Sequence, residues 1–311
     1  MPIDLMLPMG HHATFLVNLD DFEKNFSNEN QYMNLGCTIM MYFLAMWVFQ
    51  AMAYFCYGLI GGELFGPRKY RTLFGRHTMD AVSMLCMSYF GYESLNNFGG
   101  FSSFPSLVMP NGTIAAIGPE RAYAFSAAAQ RLCAFQVAYE AKNFCDSVIH
   151  NDGIIFLAHH TVTCLLSFLS LRPFLHLYCA YFLGWSEIST AILCVLVLFD
   201  EKRGVPPLAK AAPVLMKATG VAFAVAFVVF RVILWPYVNY FFWKDMWHMW
   251  QNNSFHSDAI ALTFMFVNVG LTILQIVWLG EIVQTGIKMF SEEGGDSLSI
   301  KRGEDEPKKQ K

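Results

Sequence analysis

The 311 residues are 55% hydrophobic and only 14% charged, against about 45–50% and about 25% in a soluble domain, and the mean hydropathy is +0.38. The 21 basic and 24 acidic side chains leave a net charge of −3, so no basic excess exists to hold a polyanion and nucleic acid is not an expected partner. The apolar content excludes disorder over most of the chain.

Residues 1–32 lack a basic segment followed by an apolar core, so they are not a signal peptide and form an N-terminal segment before the first span. Seven stretches are long enough to cross the hydrocarbon core: 33–60, 78–97, 121–141, 153–171, 174–199, 213–236 and 258–288. The second carries Asp80 and Glu93, and the third Gln130, Arg131 and Glu140, so these two have the weaker membrane signal. The expected fold is an all-α, multi-pass bundle of about seven helices.

Charge placement sets the orientation. Arg68, Lys69, Arg71 and Arg76 follow the first span, Lys202, Arg203 and Lys210 follow the fifth, and Lys301, Arg302, Lys308, Lys309 and Lys311 lie in the tail. The positive-inside rule places these in the cytosol. The N-terminus and the loops 98–120, 172–173 and 237–257 then face the lumen. Sequons at Asn25, Asn111 and Asn252 all fall on that side, where glycosylation is available. None of the eight cysteines lies in a lumenal loop, so no disulfide framework is expected.

Residues 291–311 are polar and charged and are expected to be a disordered cytosolic tail. Its lysines Lys308 and Lys309 stand fourth and third from the end. This looks like the dilysine retrieval signal of endoplasmic-reticulum membrane proteins, which implies coat machinery as a partner.

Ionisable groups inside spans are expensive unless paired or facing a cavity, so each marks a candidate site. The fourth span holds His159, His160 and Thr163. Adjacent helical residues point about 100° apart, which is poor for a two-histidine metal site favouring i,i+4 spacing, and no other His/Cys spacing suggests zinc. No metal is therefore expected. The geometry suits one imidazole facing a cavity and the other orienting a neighbour. His159 lies six residues into the span, about 9 Å deep, where an imidazole can exchange protons with a substrate entering from the cytosol. His159 and Thr163 share a face.

The fifth span holds His176 and Glu187, eleven residues apart and nearly on one face. Glu187 needs a partner at mid-bilayer, and Arg131 and Arg231 are both available. Asn268, Thr272 and Gln275 form a polar stripe in the last span, most simply helix-packing glue. Trp235, Trp243, Trp247 and Trp250 cluster as in an aromatic belt or interfacial helix.

In this order, His159-His160-x-x-Thr163, Glu187-x-Ser189, Arg231 and Gln275-x-x-Trp278 resemble the TLC domain family, which includes the ceramide synthases and translocation-associated membrane proteins. The resemblance covers roughly residues 70–290 as a six-helix core, with residues 33–69 as an added span and cytosolic loop. It implies an endoplasmic-reticulum protein of lipid metabolism. His159 and His160 would carry acyl transfer from acyl-CoA, the one co-substrate implied, onto a sphingoid-base amine or related lipid. Glu187 would assist them as the third catalytic residue. The cavity would be lined by Thr163, Asp146, His176, Arg131, Arg231, Asn268 and Gln275. An acidic residue upstream of the histidines is usual in the family, and Asp146 and Asp152 are both available.

The sequence departs from the ceramide synthases at Gly184-Trp185-Ser186-Glu187-Ile188-Ser189, with one carboxylate where those enzymes carry a His-Asp cluster, and is similar to smaller TLC proteins. Two readings follow: a lipid acyltransferase, or a non-catalytic protein that binds lipid or cargo and regulates membrane lipid composition. Membrane lipids are partners in both, and a homo-oligomer is compatible with either. A seven-helix receptor is disfavoured by the lack of Asp-Arg-Tyr after the third span and of Asn-Pro-x-x-Tyr in the last.

Overall fold

The computed structural model describes residues 15–16, 29–60, 67–108, 112–200 and 203–291. Seven long helical rods occur among the described residues: α1 Glu29–Ile60, α2 Arg68–Asn97, α3 Ala127–His150, α4 Ile154–Leu169, α5 His176–Val197, α6 Pro213–Gln251 and α7 Asp258–Ser291. The sequons at Asn25 and Asn111, the lysines Lys308 and Lys309, and the rest of the tail beyond Ser291 lie outside the described residues.

Four rods are long and apolar enough to cross a membrane: α1 over Met33–Leu59, α5, α6, and α7 over Asp258–Gln284. The remaining three complete the bundle differently. α4 is apolar but has 16 residues, about 24 Å of helix against a hydrocarbon core of about 30 Å. α2 and α3 are long, but they carry polar groups and turn them inward, where Asp80, Gln136, Glu140, Lys142 and Asp146 are buried. Inward-facing charge is why hydropathy alone undervalues both helices.

Several boundaries differ from the sequence expectation. The second rod begins at Arg68 rather than 78, so Arg68, Lys69, Arg71 and Arg76 lie on α2 and not in a loop. The third runs on to His150 rather than 141. The third rod begins at Ala127, six residues later than expected, because Ser126 caps it: its Oγ accepts from the Ala129 amide at 3.3 Å. The expected lumenal loop 237–257 is helical as far as Gln251, because α6 continues unbroken for 39 residues. That is about 58 Å, so one end of α6 projects well beyond a bilayer core. Its tryptophans divide accordingly. Trp235 and Trp243 donate to Thr272 Oγ1 and Asn268 Oδ1 of α7 at 3.2 and 3.0 Å, while Trp247 and Trp250 are exposed.

Residues 98–108 and 112–126 fold over this projecting end as a cap. Gly99 (φ 97°) ends α2 in a conformation open to glycine. A 3₁₀ turn, Gly100–Ser103, precedes two short strands, Leu107–Val108 and Ile114–Ala115, paired antiparallel. A helical turn, Pro119–Ala122, leads to Ala124–Phe125, which pairs antiparallel with Phe15–Leu16. Phe104, Leu107, Tyr123, Phe125 and Phe174 fill the cap's core.

Near mid-bundle, α5 and α6 each contain a π-helical segment, Ala180–Trp185 and Val228–Ile233. The wider turn leaves backbone groups without their helical partners, and the Tyr181 hydroxyl donates to the Phe230 carbonyl. Here α2 crosses α5 glycine on glycine. A Cβ at Gly91 would lie 2.5 Å from the Trp185 nitrogen, and one at Gly184 would lie 2.5 Å from Gly91 Cα. Only glycine permits that approach.

Candidate functional site

The site begins with a turn. α3 ends at Asn151 in the left-handed conformation (φ 54°) and Gly153 (φ 98°) restarts the chain as α4, so the two helices form an antiparallel hairpin. Asp152 locks the turn: Arg76 Nη2 lies 2.5 Å from its Oδ2 and Ser147 Oγ donates to it at 3.1 Å. Burial opposes ionisation of this carboxyl, but Arg76 outweighs it and holds Asp152 below the usual carboxylate range. Arg76 also approaches Asp146 at 3.7 Å, and Asp146 accepts from Lys142 at 2.6 Å.

Along α3, Gln136, Glu140, Asn143 and Ser147 recur at spacings of four, three and four, a buried polar stripe on one helical face. The hairpin sets this stripe against α4. Glu140 Oε2 lies 2.6 Å from His160 Nδ1, and Glu140 Oε1 accepts from Gln136 Nε2 at 2.8 Å. A carboxylate at Nδ1 fixes the imidazole tautomer and leaves Nε2 as the basic atom. Glu140 is 3% exposed and His160 12%, so the pair is largely desolvated yet reachable.

His159 stands beside it, its ring centroid 5.5 Å from that of His160 at 67°. Among the described residues its ring has no hydrogen-bond partner. One ligating atom from each of Glu140, His159 and His160 lies within 4.8 Å of the others. The 100° divergence of neighbouring histidines is thus overcome by side-chain reach and by a carboxylate from the next helix.

The other expected site residues fall into separate places. Glu187 pairs with Arg231, whose Nη2 donates to its Oε1 at 3.1 Å, while Ser189 and Thr190 accept from the same guanidinium at 3.1 Å each. Arg131 instead pairs with Glu93 at 2.6 Å. Neither Asp146 nor Asp152 partners the histidines; Glu140 does. Thr163 turns back to donate to the His159 carbonyl at 2.7 Å. His176 is fully buried at the cap, where Nδ1 accepts from the Ser126 amide at 3.2 Å and Nε2 faces the Ser170 carbonyl at 2.9 Å. Those two bonds hold a neutral ring in place, away from the histidine pair. Asn268 serves as glue for Trp243, whereas Gln275 is buried with its Oε1 unpartnered. Asn252 is exposed at the end of α6, its amide nitrogen donating to the His248 carbonyl at 2.8 Å.

The feature missed in the sequence is Glu140. Its signal was the Gln136-Glu140-Asn143-Ser147 periodicity, followed by the turn residues Asn151-Asp152-Gly153.

Comparison with known proteins decides the family. The sequence profile of the TLC domain matches residues 7–284, most of the chain. The chain belongs to the TLC domain family. No curated protein and no solved structure gives a significant match. The match begins before α1, so it takes in the first rod as well as the six that follow. Within this TLC domain the histidine pair occupies the second turn of α4 and faces α3. The Glu187-x-Ser189 motif starts at the junction where the π segment of α5 reverts to α-helix. A multi-pass membrane protein related to lipids is the coarse identity these features support.

Proposed function

We propose that this TLC-domain protein is a lipid acyltransferase of the endoplasmic-reticulum membrane, moving an acyl group from acyl-CoA to the amine of a sphingoid base or a related lipid. The observation that carries the reading is the Glu140–His160 pair at 2.6 Å, with the unbonded His159 beside it. Carboxylate, imidazole and open Nε2 form the arrangement that general-base catalysis requires. His160 Nε2 takes a proton as the acceptor nitrogen attacks the thioester carbonyl. The new N–C bond forms, the C–S bond breaks, and the proton passes to the departing thiolate. Glu140 is a positioning residue that stabilises the transient imidazolium. Glu187 holds Arg231 and joins α5 to α6.

Depth suits this chemistry. His160 lies six residues after Ile154, about 9 Å from the helix start, where a thioester can arrive with its chain in the bilayer and its nucleotide outside. The basic segments argue for a cytosolic entrance, and the dilysine-like Lys308 and Lys309 support endoplasmic-reticulum residence.

One observation favours the alternative, a non-catalytic lipid- or cargo-binding protein: Glu187, at the place of the ceramide synthases' His-Asp cluster, is neutralised by Arg231. A mass-spectrometric lipid profile of cells lacking the protein separates the two. Cells are restored with wild type or with the His159→Ala, His160→Ala double variant at equal abundance. Under the acyltransferase reading only wild type corrects a lipid class. Equal correction by both establishes the binding role instead.

A further inference from the structure

We infer that Glu140, His159 and His160 together bind one first-row divalent metal ion, with zinc the best fit. Two imidazoles and one carboxylate are the donor set of three-ligand zinc sites, which leave a fourth position open to substrate. Calcium and magnesium favour oxygen-only shells, and sites that select by thiolate need cysteine ligands. None of the eight cysteines belongs to this cluster.

The distances are compatible with closure around an ion. Zinc lies about 2.0–2.2 Å from nitrogen and carboxylate donors, so tetrahedral ligand atoms stand about 3.4 Å apart. The three groups here already converge to within 4.8 Å. The remaining movement falls on His159, whose ring no hydrogen bond restrains. Glu140 and His160 are too close for an ion between them at 2.6 Å and need to open by less than 1 Å.

Two further observations point the same way. Gln136 Nε2 already grips the second oxygen of Glu140, the outer support that metal-ligating carboxylates typically have. The half-buried His159 ring also has no hydrogen-bond partner among the described residues, so it is free to turn onto a ligand. Local charge permits the ion: Lys142 is compensated by Asp146 and Arg231 by Glu187, while Glu140 supplies a negative ligand.

The inference rests on the residues of the acyl-transfer reading but not on its proton step. An imidazole that ligates the ion is not free as a general base, so with the ion bound His160 would be a ligand and Glu140 would no longer only position it. An ion at the open position would polarise an acyl carbonyl. Its test is a metal count. The full chain, grown with added zinc and purified in detergent without chelator, is passed through gel filtration and measured by inductively coupled plasma mass spectrometry. We expect about one zinc per chain, lost in His159→Ala and in Glu140→Gln, and an X-ray absorption spectrum with nitrogen and oxygen neighbours only. His159→Ala removes no hydrogen bond, so it carries the comparison if Glu140→Gln does not fold. Monodisperse wild type free of transition metals, zinc retained equally by both variants, or sulfur in the first shell would each overturn the inference. The transfer assay is separate: zinc-loaded protein inert toward acyl-CoA sinks the reaction and keeps the ion, and metal-free protein that transfers does the reverse.

Discussion

Two buried charge clusters in this bundle look alike in composition and differ in completeness. At the cap, Arg121 Nε donates to Asp245 Oδ2 at 2.8 Å, and Nη1 and Nη2 reach the Ser103 carbonyl and Tyr178 hydroxyl at 3.3 and 3.1 Å. Asp245 also accepts from the Gly118 amide at 3.0 Å and from the Tyr178 hydroxyl. Every side-chain group of the pair is engaged, the two residues are at most 1% exposed, and the Phe241 ring lies 5.7 Å from the guanidinium. In the second cluster both oxygens of Glu140 are engaged, by Gln136 and His160, but His160 Nε2 and the His159 ring have no hydrogen-bond partner among the described residues. A completed network ties the cap to α5 and α6; an incomplete one retains capacity for a ligand. Both pay desolvation, but only the second keeps groups in reserve.

Breaking the closed cluster should have the largest effect. Asp245→Ala strands a buried guanidinium and should cost about 3–5 kcal/mol, whereas replacing Arg121 and Asp245 together by Met and Leu should cost far less. Thermal unfolding in detergent checks this, and equal losses would mean the knot is not a coupled unit. The Arg231–Glu187 pair should behave similarly but more mildly, since Glu187 is 15% exposed. Arg231→Met should destabilise by about 1–3 kcal/mol, with Glu187→Gln recovering part of that in the double variant.

The open cluster should respond in activity more than in stability. His160→Ala should cost less than Asp245→Ala, about 1–3 kcal/mol for the one partner it takes from Glu140, while reducing acyl transfer by about 10²–10⁴-fold. Matched unfolding curves and initial rates make the comparison. A variant whose activity falls only as far as its folded fraction would place His160 in the structural class.

A smaller effect concerns pH at the cap. The Tyr123 hydroxyl accepts from the His256 amide at 2.9 Å and faces its Nδ1 at 2.8 Å, with burial pushing the tyrosine up to about 12. Tyr123 therefore stays protonated and donates to a neutral ring. Burial, then the charge of Arg172, lower His256 from its ordinary 6.5. Folding favours the neutral form, so the contribution is complete above pH 6.5 and is lost as pH falls through the lowered value. His256→Gln should flatten the decline in unfolding temperature below pH 6.5.

The contrast also explains what the sequence disclosed. α1, α5 and α7 are legible because hydropathy reports them directly, and His159 and His160 because ionisable groups stand out in an apolar span. Glu140 was hidden because its span already contained charge and its partner lies across a turn. Glu187 had two arginines within reach on paper. Packing assigns Arg231 to it and Arg131 to Glu93, a choice that only three-dimensional position makes. The cap escaped notice for another reason: its short strands and turns carry no period, and Lys244 and Asp245 interrupt the hydropathy of a helix that in fact continues to Gln251.

The most direct test is acyl transfer by the purified, reconstituted protein, using labelled acyl-CoA and a sphingoid-base acceptor, with wild type and Glu140→Gln at matched folded fraction. The account predicts measurable transfer by wild type and at least about tenfold less by the variant, since the carboxylate orients His160 and stabilises its charge. Equal rates for the two proteins would contradict it, because the Glu140–His160 pair would then be another structural contact.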